Sequence, residues 1–291
     1  MLCLIFQVTW TKGRRCMAGY LAHFGLKEKP FSTSPDPRFA YATREHEIAA
    51  TKIQYAVEER QGLFLLMGEI GTGKTTLSQF MMTNWRADPQ IVAGHVTDPS
   101  PETPAPFLRL ILGALGQPTY HRVEDNKAAL REFLIGEYKE DRTVVVMIDE
   151  AQSISARNMD TLQTLSNEQT TKTKLLQIVL LALPNFARKL TYKPALRSRI
   201  ASGATLDPLT FDDAIEMLRH RAEVAGGDFD TLFDPSLHRP VYNATQGNPR
   251  NLCILCDNVL VNAFARRRKA ADEESLEAAL ADLNFKGWAG K

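Results

Sequence analysis

The chain has 291 residues, of which 44% are hydrophobic and 24% are charged, with 17 glycines and 15 prolines. These proportions are typical of a globular protein, and they exclude an intrinsically disordered, a collagen-like or a low-complexity chain. The 35 basic and 34 acidic residues leave a formal net charge of +1. This small net charge does not favour a protein that binds polyanions over its whole surface, but it is compatible with local basic patches.

The N-terminal residues 1–16 begin with the apolar stretch MLCLIFQVTW, and basic residues follow this stretch instead of preceding it. A secretory signal has the opposite order, and no apolar run reaches the roughly 18 residues that span a bilayer. We expect a poorly ordered extension, with Met17 as an alternative start; an anchor that touches a membrane surface is the competing interpretation. Four cysteines in a chain of this length favour a reducing compartment, so we expect a cytoplasmic protein without stable membrane insertion.

The first half of the chain has the pattern of an α/β fold. Residues 24–42 are rich in proline and aromatic residues and predict an extended segment, and residues 43–60 predict a helix with Thr43 as its N-cap. Four short apolar segments then alternate with stretches of helical pattern, which predicts a parallel sheet buried on both faces within a three-layer αβα core. The four predicted strands are residues 63–67, 91–96, 143–148 and 175–183.

After residue 206 only helical patterns remain, separated by Gly-Gly, Asp-Pro and Gly-Asn-Pro turn signals. This change predicts a second, smaller helical domain. The predicted helices are residues 210–226, 235–245, 248–265 and 272–284. The predicted organisation is an extension (1–16), an α/β domain (17–206), a small helical domain (207–285) and a tail (286–291).

The sequence GEIGTGKT at residues 68–75 matches the phosphate-loop pattern G-x-x-x-x-G-K-[ST] in full, after a predicted strand and before a stretch of helical pattern. Glycines let backbone N–H groups converge on phosphate oxygens, and the helix that follows presents unpaired donors. We expect Lys74 to contact the β- and γ-phosphates of ATP and the Thr75 hydroxyl to be a Mg²⁺ ligand. The predicted phosphate-binding residues are Gly68, Glu69, Ile70, Gly71, Thr72, Gly73, Lys74, Thr75 and Thr76.

A second motif follows the predicted strand 143–148, which ends in Asp149 and Glu150. Burial of a carboxylate is costly unless it is paired or binds a metal, so Asp149 suits the Mg²⁺ coordination shell of a nucleotide. Glu150 is positioned to polarise the attacking water. By itself, an Asp-Glu pair after a strand is common and can be an exposed loop; the preceding phosphate loop favours the catalytic interpretation.

Several shorter motifs add to these two. They are Phe24-Gly25-Leu26, Lys29-Pro30-Phe31, Pro35-Asp36-Pro37-Arg38, Leu165-Ser166-Asn167, LLQIVL at 175–180, Leu196-Arg197-Ser198-Arg199-Ile200, Gly247-Asn248-Pro249-Arg250 and LCILCD at 252–257. Together they resemble the AAA+ ATPases, and more narrowly the general secretion pathway protein A (ExeA-like) family of the origin-recognition-like group. The resemblance covers residues 20–285, and its motifs are specific for the ATPase module and not for a biological pathway.

The resemblance implies a P-loop NTPase core with a C-terminal helical lid, and ATP bound at the boundaries between subunits of a homo-oligomer, in a ring or a filament. It implies that Arg199, or Arg197 as second candidate, reaches the γ-phosphate in a neighbouring subunit. It also implies that Arg250 touches the γ-phosphate within its own subunit. A guanidinium suits these roles because it stays charged and offers a rigid fork of donors. For each arginine the alternative is a solvated surface residue.

Two features depart from this family. Its members commonly have Gly-Gln-Pro-Glu after the fourth strand, where this chain has Ala-Leu-Pro-Asn at residues 182–185. Leu183 cannot donate a side-chain hydrogen bond, so we expect the polar group near the attacking water, called sensor 1, to be missing or displaced to Asn185, with slow hydrolysis. Secretion members continue into a membrane span and a peptidoglycan-binding domain, whereas this sequence ends at Lys291, so we do not transfer that part of the function.

Two functions are compatible with these features. The first is an ATPase that binds and hydrolyses MgATP at subunit interfaces to drive the assembly or remodelling of a partner complex, with an unknown protein partner. The alternative is an ATP-dependent regulator of transposition that binds duplex DNA and recruits a transposase. In that case Lys172, Lys174 and Arg188 are candidates for a DNA-binding patch.

Other polar and aromatic residues are less informative. Cys253 and Cys256 have C-x-x-C spacing but lie in an apolar helical run, which favours core packing over a metal or redox site. The basic run 266–269 is either a solvated helix end or a phosphate contact. His46 is a candidate for a position near the nucleotide base. Phe31 and Tyr41 are candidates for the adenine pocket or, equally, for the core.

Overall fold

The protein is described here by a computed structural model, which covers residues 14–34, 36–171 and 173–283, with side chains from residue 19 onward. The described chain divides into two compact units. The α/β unit comprises residues 42–207, and the helical unit comprises residues 14–41 and 208–283. The predicted extension lies outside the described residues up to residue 13, while Arg14 begins a helix.

The α/β unit contains a five-stranded sheet in the order β2-β3-β4-β1-β5, and every pair of neighbouring strands is parallel. The strands are β1 (Leu63–Gly68), β2 (Ile91–Val96), β3 (Thr143–Ile148), β4 (Leu176–Ala182) and β5 (Ile200–Leu206). Parallel strands require crossover connections, which the intervening helices supply. The predicted three-layer α/β architecture with a parallel sheet is therefore confirmed.

Helices make up most of the remaining described chain. In chain order they are α1 (Arg14–Phe24), α2 (Arg44–Glu58), α3 (Lys74–Ala87), α4 (Pro104–Ala114), α5 (Val123–Lys139), α6 (Ala156–Leu165), α7 (Phe186–Thr191), α8 (Pro194–Arg197), α9 (Phe211–Val224), α10 (Phe229–Leu232), α11 (His238–Thr245), α12 (Pro249–Ala265) and α13 (Glu273–Leu283). Short 3₁₀ turns cover Pro37–Phe39, Ala151–Ser153 and Pro235–Leu237. No helix among the described residues is both long enough and apolar enough to cross a bilayer.

Strand β3 shows why the sheet is buried on both faces. Its side chains alternate in direction, as in any strand. Val144, Val146 and Ile148 belong to one buried apolar cluster, whereas Val145 and Met147 belong to another. A strand that needs apolar residues on both faces has a continuous apolar sequence, which is the signal that predicted it.

Strand β5 is not among the four predicted strands, the last of which ends at residue 183. Its sequence IASGATL contains small and polar residues and no continuous apolar run. β5 lies at an edge of the sheet and pairs with β1, and its residues alternate between partial burial and exposure. An edge strand of this kind lacks the apolar pattern of the central strands, so its position depends on pairing with β1.

The helical unit has its own apolar core. It also includes an N-terminal segment that was predicted to belong to the α/β domain. This segment, residues 17–41, groups with the helices after residue 207. Phe31 is 1% exposed and packs edge-on against Phe229 and Phe233. Phe31 is therefore a core residue of the helical unit, and its assignment to an adenine pocket is not supported.

The two cysteines with C-x-x-C spacing are buried, and burial favours their protonated thiol form. Cys253 and Cys256 are free thiols buried in the core of the helical unit. Burial raises the pKa of both thiols because the thiolate loses its hydration. Among the described residues no group of three or more His, Cys, Asp or Glu side chains could hold a metal ion. The burial of both thiols agrees with core packing.

Arg221 of α9 fastens the proline-rich N-terminal segment to the helical unit. Its guanidinium donates to the backbone carbonyls of Pro30 (3.0 Å), Ser32 (2.5 Å) and Phe39 (3.0 Å), and it lies over the Phe39 ring with 5.1 Å to the ring centroid. These carbonyls belong to a segment of turns, with a 3₁₀ turn at Pro37–Phe39, whose described residues pair with no strand. One side chain therefore satisfies acceptors that no strand pairing provides. The planar fork of arginine matches this arrangement.

We predict that Arg221→Lys lowers the free energy of unfolding of the helical unit by about 2 kcal/mol, because one ammonium cannot serve three separated carbonyls. Urea denaturation measures the change. The matched control is Arg219→Lys on the same helix. The Arg219 side chain makes exposed ion pairs with Glu216 and Asp230, so we expect this substitution to lower the free energy of unfolding by less than about 0.5 kcal/mol. Equal effects of the two substitutions would contradict the assigned role of Arg221.

Candidate nucleotide-binding site

The phosphate loop connects the carboxyl end of β1 to the amino end of α3. Gly71 and Gly73 have φ values of 86° and 96°, in the left-handed region that favours glycine, and Gly73 is the N-cap of α3. The first N–H groups of any α-helix have no intrahelical acceptor. The loop therefore directs the donors of the first turn of α3 to one point, which is the arrangement that binds phosphate groups.

The Lys74 side chain is held inside this loop. It is 7% exposed, and its Nζ donates to the carbonyl oxygens of Gly68 (2.7 Å) and Glu69 (2.9 Å). The loop is braced by Thr72, whose Oγ1 donates to the Glu69 carbonyl at 2.9 Å. Charged phosphate oxygens are stronger acceptors of an ammonium proton than neutral carbonyls, so the residues present fit a bound triphosphate.

The second predicted motif lies beside the start of α3. Asp149 is 5% exposed and follows β3, and its Oδ2 lies 3.3 Å from the Oγ1 of Thr75, which donates to it. A hydroxyl and a carboxylate oxygen are the hard donors that Mg²⁺ prefers, together with water and phosphate oxygens. The structure thus brings together the two residues that the sequence predicted as Mg²⁺ ligands, and they fit that ion.

Glu150 occupies an unusual backbone conformation. Its φ and ψ are 50° and 37°, in the left-handed region that non-glycine residues rarely adopt. Its N–H donates to the Oδ1 of Asp149 at 2.8 Å, and its exposed side chain accepts a hydrogen bond at Oε2 from the amide of Gln152. Strained residues of this kind are concentrated at functional sites. The turn directs Glu150 outward while Asp149 stays buried.

Two histidines lie close to these motifs. His46 of α2 has its Nε2 3.1 Å from the Thr72 carbonyl and its Nδ1 2.7 Å from the Thr43 hydroxyl. Because a carbonyl only accepts, Nε2 is the protonated nitrogen, and His46 braces the phosphate loop; a position near the base is not what the structure describes. His95 of β2 faces Asp149, and burial lowers its pKa despite the smaller opposite effect of that carboxylate.

The end of β4 contacts a polar side chain from a position that the sequence did not single out. Leu183 offers only its backbone N–H, which donates to the Oε1 of Gln152 at 3.1 Å. Asn185 is exposed at the start of α7, and its side chain makes no capping hydrogen bond. Gln152, which also contacts Glu150, is not among the residues predicted for the site. Its position two residues after Glu150 in the run DEAQ indicates that the two residues are close, but nothing in the sequence indicates the contact with Leu183.

Two of the predicted arginines, Arg199 and Arg197, lie away from the phosphate loop of their own α/β unit. Arg199 immediately precedes β5, whose first residue pairs with Leu63 at the amino end of β1, whereas the phosphate loop follows the carboxyl end of β1. The six residues of β1 separate the two ends by about 20 Å. Arg197 is the exposed last residue of α8. Neither side chain lies at the phosphate-loop edge of its own sheet.

Arg250 lies in the first turn of α12, in the helical unit. Asn248 caps this helix by accepting from the Asn251 N–H at 3.2 Å, and Pro249 occupies its first turn. The local sequence thus explains the helix start that presents Arg250, which is exposed. Contact between Arg250 and a nucleotide stays a prediction.

Comparison with known proteins identifies the family. Residues 57–190 match the family model described as "AAA domain". General secretion pathway protein A of Aeromonas hydrophila is 32% identical over 253 residues, which are 85% of this chain and 45% of that relative. The chain therefore spans less than half of the curated relative that it matches.

Solved structures of origin-recognition proteins share the fold. The Aeropyrum pernix ORC2 protein, solved in ADPNP–ADP complexes, matches with a TM-score of 0.65 and 20% identity over 89% of this chain and 73% of that one. Drosophila ORC bound to DNA matches with a TM-score of 0.69 and 15% identity over 97% of this chain and 70% of that one. These likenesses show the P-loop AAA+ fold, with a helical C-terminal part.

Proposed function

The chain belongs to the AAA+ proteins and is related to general secretion pathway protein A, and from this premise we propose that it is a MgATP-hydrolysing ATPase. Hydrolysis takes place at the interfaces of a homo-oligomer, a ring or a filament, and drives the assembly or remodelling of a partner complex. The observation that carries this proposal is the junction of a phosphate loop with the hydrogen-bonded Thr75–Asp149 oxygen pair, whose carboxylate is buried, and the outward-facing Glu150.

Each part of this junction has a distinct task. The N–H groups at the start of α3 and the Lys74 ammonium bind the β- and γ-phosphates, while Thr75 and Asp149 hold Mg²⁺. Magnesium, when bound, neutralises charge on the phosphate oxygens. Glu150 orients the attacking water and accepts its proton at the carboxylate. The buried Asp149 and the exposed Glu150 thus divide metal binding from proton transfer by their difference in burial.

The position of Arg199 supports hydrolysis between subunits. Arg199 lies at the amino edge of the sheet, roughly one strand length from the phosphate loop of its own α/β unit. An arginine side chain cannot cover that distance within one unit. A contact between Arg199 and a γ-phosphate therefore requires a second copy of the chain, with Arg250 as the arginine supplied in cis. The cytoplasmic location stays a prediction.

We predict that Glu150→Gln lowers the rate of ATP hydrolysis at least about 100-fold while the Kd for MgATP stays within about twofold, because the amide cannot accept the proton of the attacking water. Single-turnover hydrolysis and calorimetry measure the two quantities. The comparison variant Lys74→Ala loses both binding and hydrolysis, since the phosphates lose their ammonium partner. Hydrolysis by Glu150→Gln at the parental rate would reject Glu150 as the base.

We predict that Arg199→Ala and Lys74→Ala, each inactive alone, regain ATP hydrolysis when the two variants are mixed. In mixed oligomers the intact phosphate loop of the first variant meets the intact arginine of the second. Arg188→Ala, which removes an exposed arginine on α7, is the control and keeps the parental rate; Arg197→Ala tests the second candidate. A mixture that stays inactive despite forming oligomers would contradict hydrolysis between subunits.

Binding of duplex DNA by a transposition regulator is the second candidate function. One observation favours it: Lys174 and Arg199 lie close enough for the Arg199 charge to add to the effect of burial in lowering the pKa of Lys174. Adjacent cations create a local positive potential that attracts phosphates. The basic run 266–269 gives less support, because Arg266 and Arg268 form ion pairs with the acidic start of α13. Lys172 lies outside the described residues.

We predict for this second function that a DNA duplex binds more tightly with ATP than with ADP, and that its affinity falls steeply as salt rises, because bound cations release counterions from DNA. Fluorescence anisotropy at two salt concentrations measures both effects, and Lys174→Ala with Arg199→Ala is expected to reduce the salt dependence. Absence of binding at low salt would remove the DNA-binding function and leave the ATPase proposal intact.

A further inference from the structure

We propose that Gln152 is a positioning residue that sets the Glu150 carboxylate for water activation and takes over the task of the polar side chain absent at Leu183. The inference rests on the proposed function of Glu150 as the base. It assigns a specific task to a residue that is neither a phosphate ligand nor a metal ligand. Its basis is a set of hydrogen bonds that joins three segments of the α/β unit.

The Gln152 amide connects Glu150 to the end of β4. Its Nε2 donates to the Oε2 of Glu150, and its Oε1 accepts from the backbone N–H of Leu183 at 3.1 Å. The Leu183 N–H can only donate, so the amide atom that faces it must be the oxygen. The amide nitrogen then necessarily faces Glu150. The end of β4 thereby fixes the orientation of the group that holds the carboxylate.

The backbone of Gln152 is fastened as well as its side chain. The Nζ of Lys189, on α7, donates to the carbonyl oxygens of Gln152 (2.5 Å) and Ile154 (3.3 Å). The flanking residues Ala151 and Ile154 are fully buried in the core. The 3₁₀ turn that follows Glu150 is thus held by two kinds of contact. Ala151 and Ile154 pack into the core, and Lys189 of α7 donates hydrogen bonds to the backbone carbonyls.

Glu150 needs such a partner because of its surroundings. Its backbone is in a strained left-handed conformation and its side chain is exposed. Exposed side chains exchange between rotamers, and a base must be held in reach of the water that it deprotonates. The Gln152 amide supplies a donor to one carboxylate oxygen and leaves the other oxygen for the water. In this way a neutral side chain restricts the base without competing for its proton.

The same contacts connect Glu150 with the segment that carries the candidate arginines. α7, which supplies Lys189, continues through the short helix α8 to Arg197 and Arg199. α8 packs against α7 and α6, and Lys193 between α7 and α8 pairs with Asp160 of α6 at 2.6 Å. A displacement of this segment at a subunit interface would therefore shift Gln152. Lys189→Met removes both hydrogen bonds to the turn. We expect it to lower the rate of ATP hydrolysis, as loss of Gln152 does.

The decisive experiment is a double-mutant cycle on the full chain with γ-labelled ATP under single-turnover conditions. Gln152→Ala is expected to slow hydrolysis at least about tenfold, because small displacements of a catalytic group are costly, with the Kd for MgATP within about twofold of the parent. In the Glu150→Gln background the same substitution is expected to have no further effect, because the residue acts through Glu150. A parental rate for Gln152→Ala, or an equal loss in both backgrounds, would overturn the proposal.

Two further variants separate positioning from folding. Gln163→Ala, on the adjacent α6, removes a partly buried amide and is expected to leave the rate unchanged; thermal unfolding checks that all variants are folded. Leu183→Gln is expected to restore at least severalfold activity to Gln152→Ala, since it returns an amide to the end of β4, and no recovery would reject the compensation. Failure of the ATPase proposal itself is distinct, because the parent chain would then not hydrolyse ATP at all. Failure of the base assignment is distinct as well, because Glu150→Gln alone would then hydrolyse ATP at the parental rate.

Discussion

The site depends on one interaction, the hydrogen bonds between the buried Lys74 ammonium and backbone carbonyls of its own loop. A buried cation requires acceptors, and the carbonyls of Gly68 and Glu69 supply them within the loop itself. To do so, the chain must reverse through two left-handed glycines and enter α3 at once. The same turn aligns the first N–H groups of the helix and sets Thr75 against Asp149. One local constraint therefore organises both the groups that we propose bind phosphate and those that we propose bind Mg²⁺.

The parallel sheet extends this organisation over a longer distance. All strands run in one direction, so the groups that follow them gather at one edge, and those that precede them gather at the other. The phosphate loop, Asp149 and Leu183 follow strands, whereas Arg199 precedes one. The α/β unit thus has the phosphate loop at one edge of its sheet and Arg199 at the opposite edge. Two edges of this kind are complementary between copies of the chain, which is why we propose an assembly of identical subunits.

Sequence and structure agree where local chemistry decides the outcome. Strands β2 and β3 have the predicted limits, and Thr43 caps α2 as expected, because apolar runs and capping side chains act over a few residues. The phosphate loop was recognisable for the same reason. Strand β5, the grouping of Phe31 with the C-terminal helices and the role of Gln152 depend instead on pairing partners far along the chain. A single sequence carries no direct signal of such contacts.

The central claim is that the Lys74 loop and the Thr75–Asp149 pair bind one nucleotide and one magnesium ion together. Calorimetric titration of the chain with ATP, once with Mg²⁺ and once with a chelator, tests it most directly. The account predicts one site per chain and an affinity that falls at least about tenfold without the ion, since the phosphate charge is then left unbalanced beside a buried carboxylate. The absence of heat on titration with MgATP, or equal affinities with and without the ion, would contradict it.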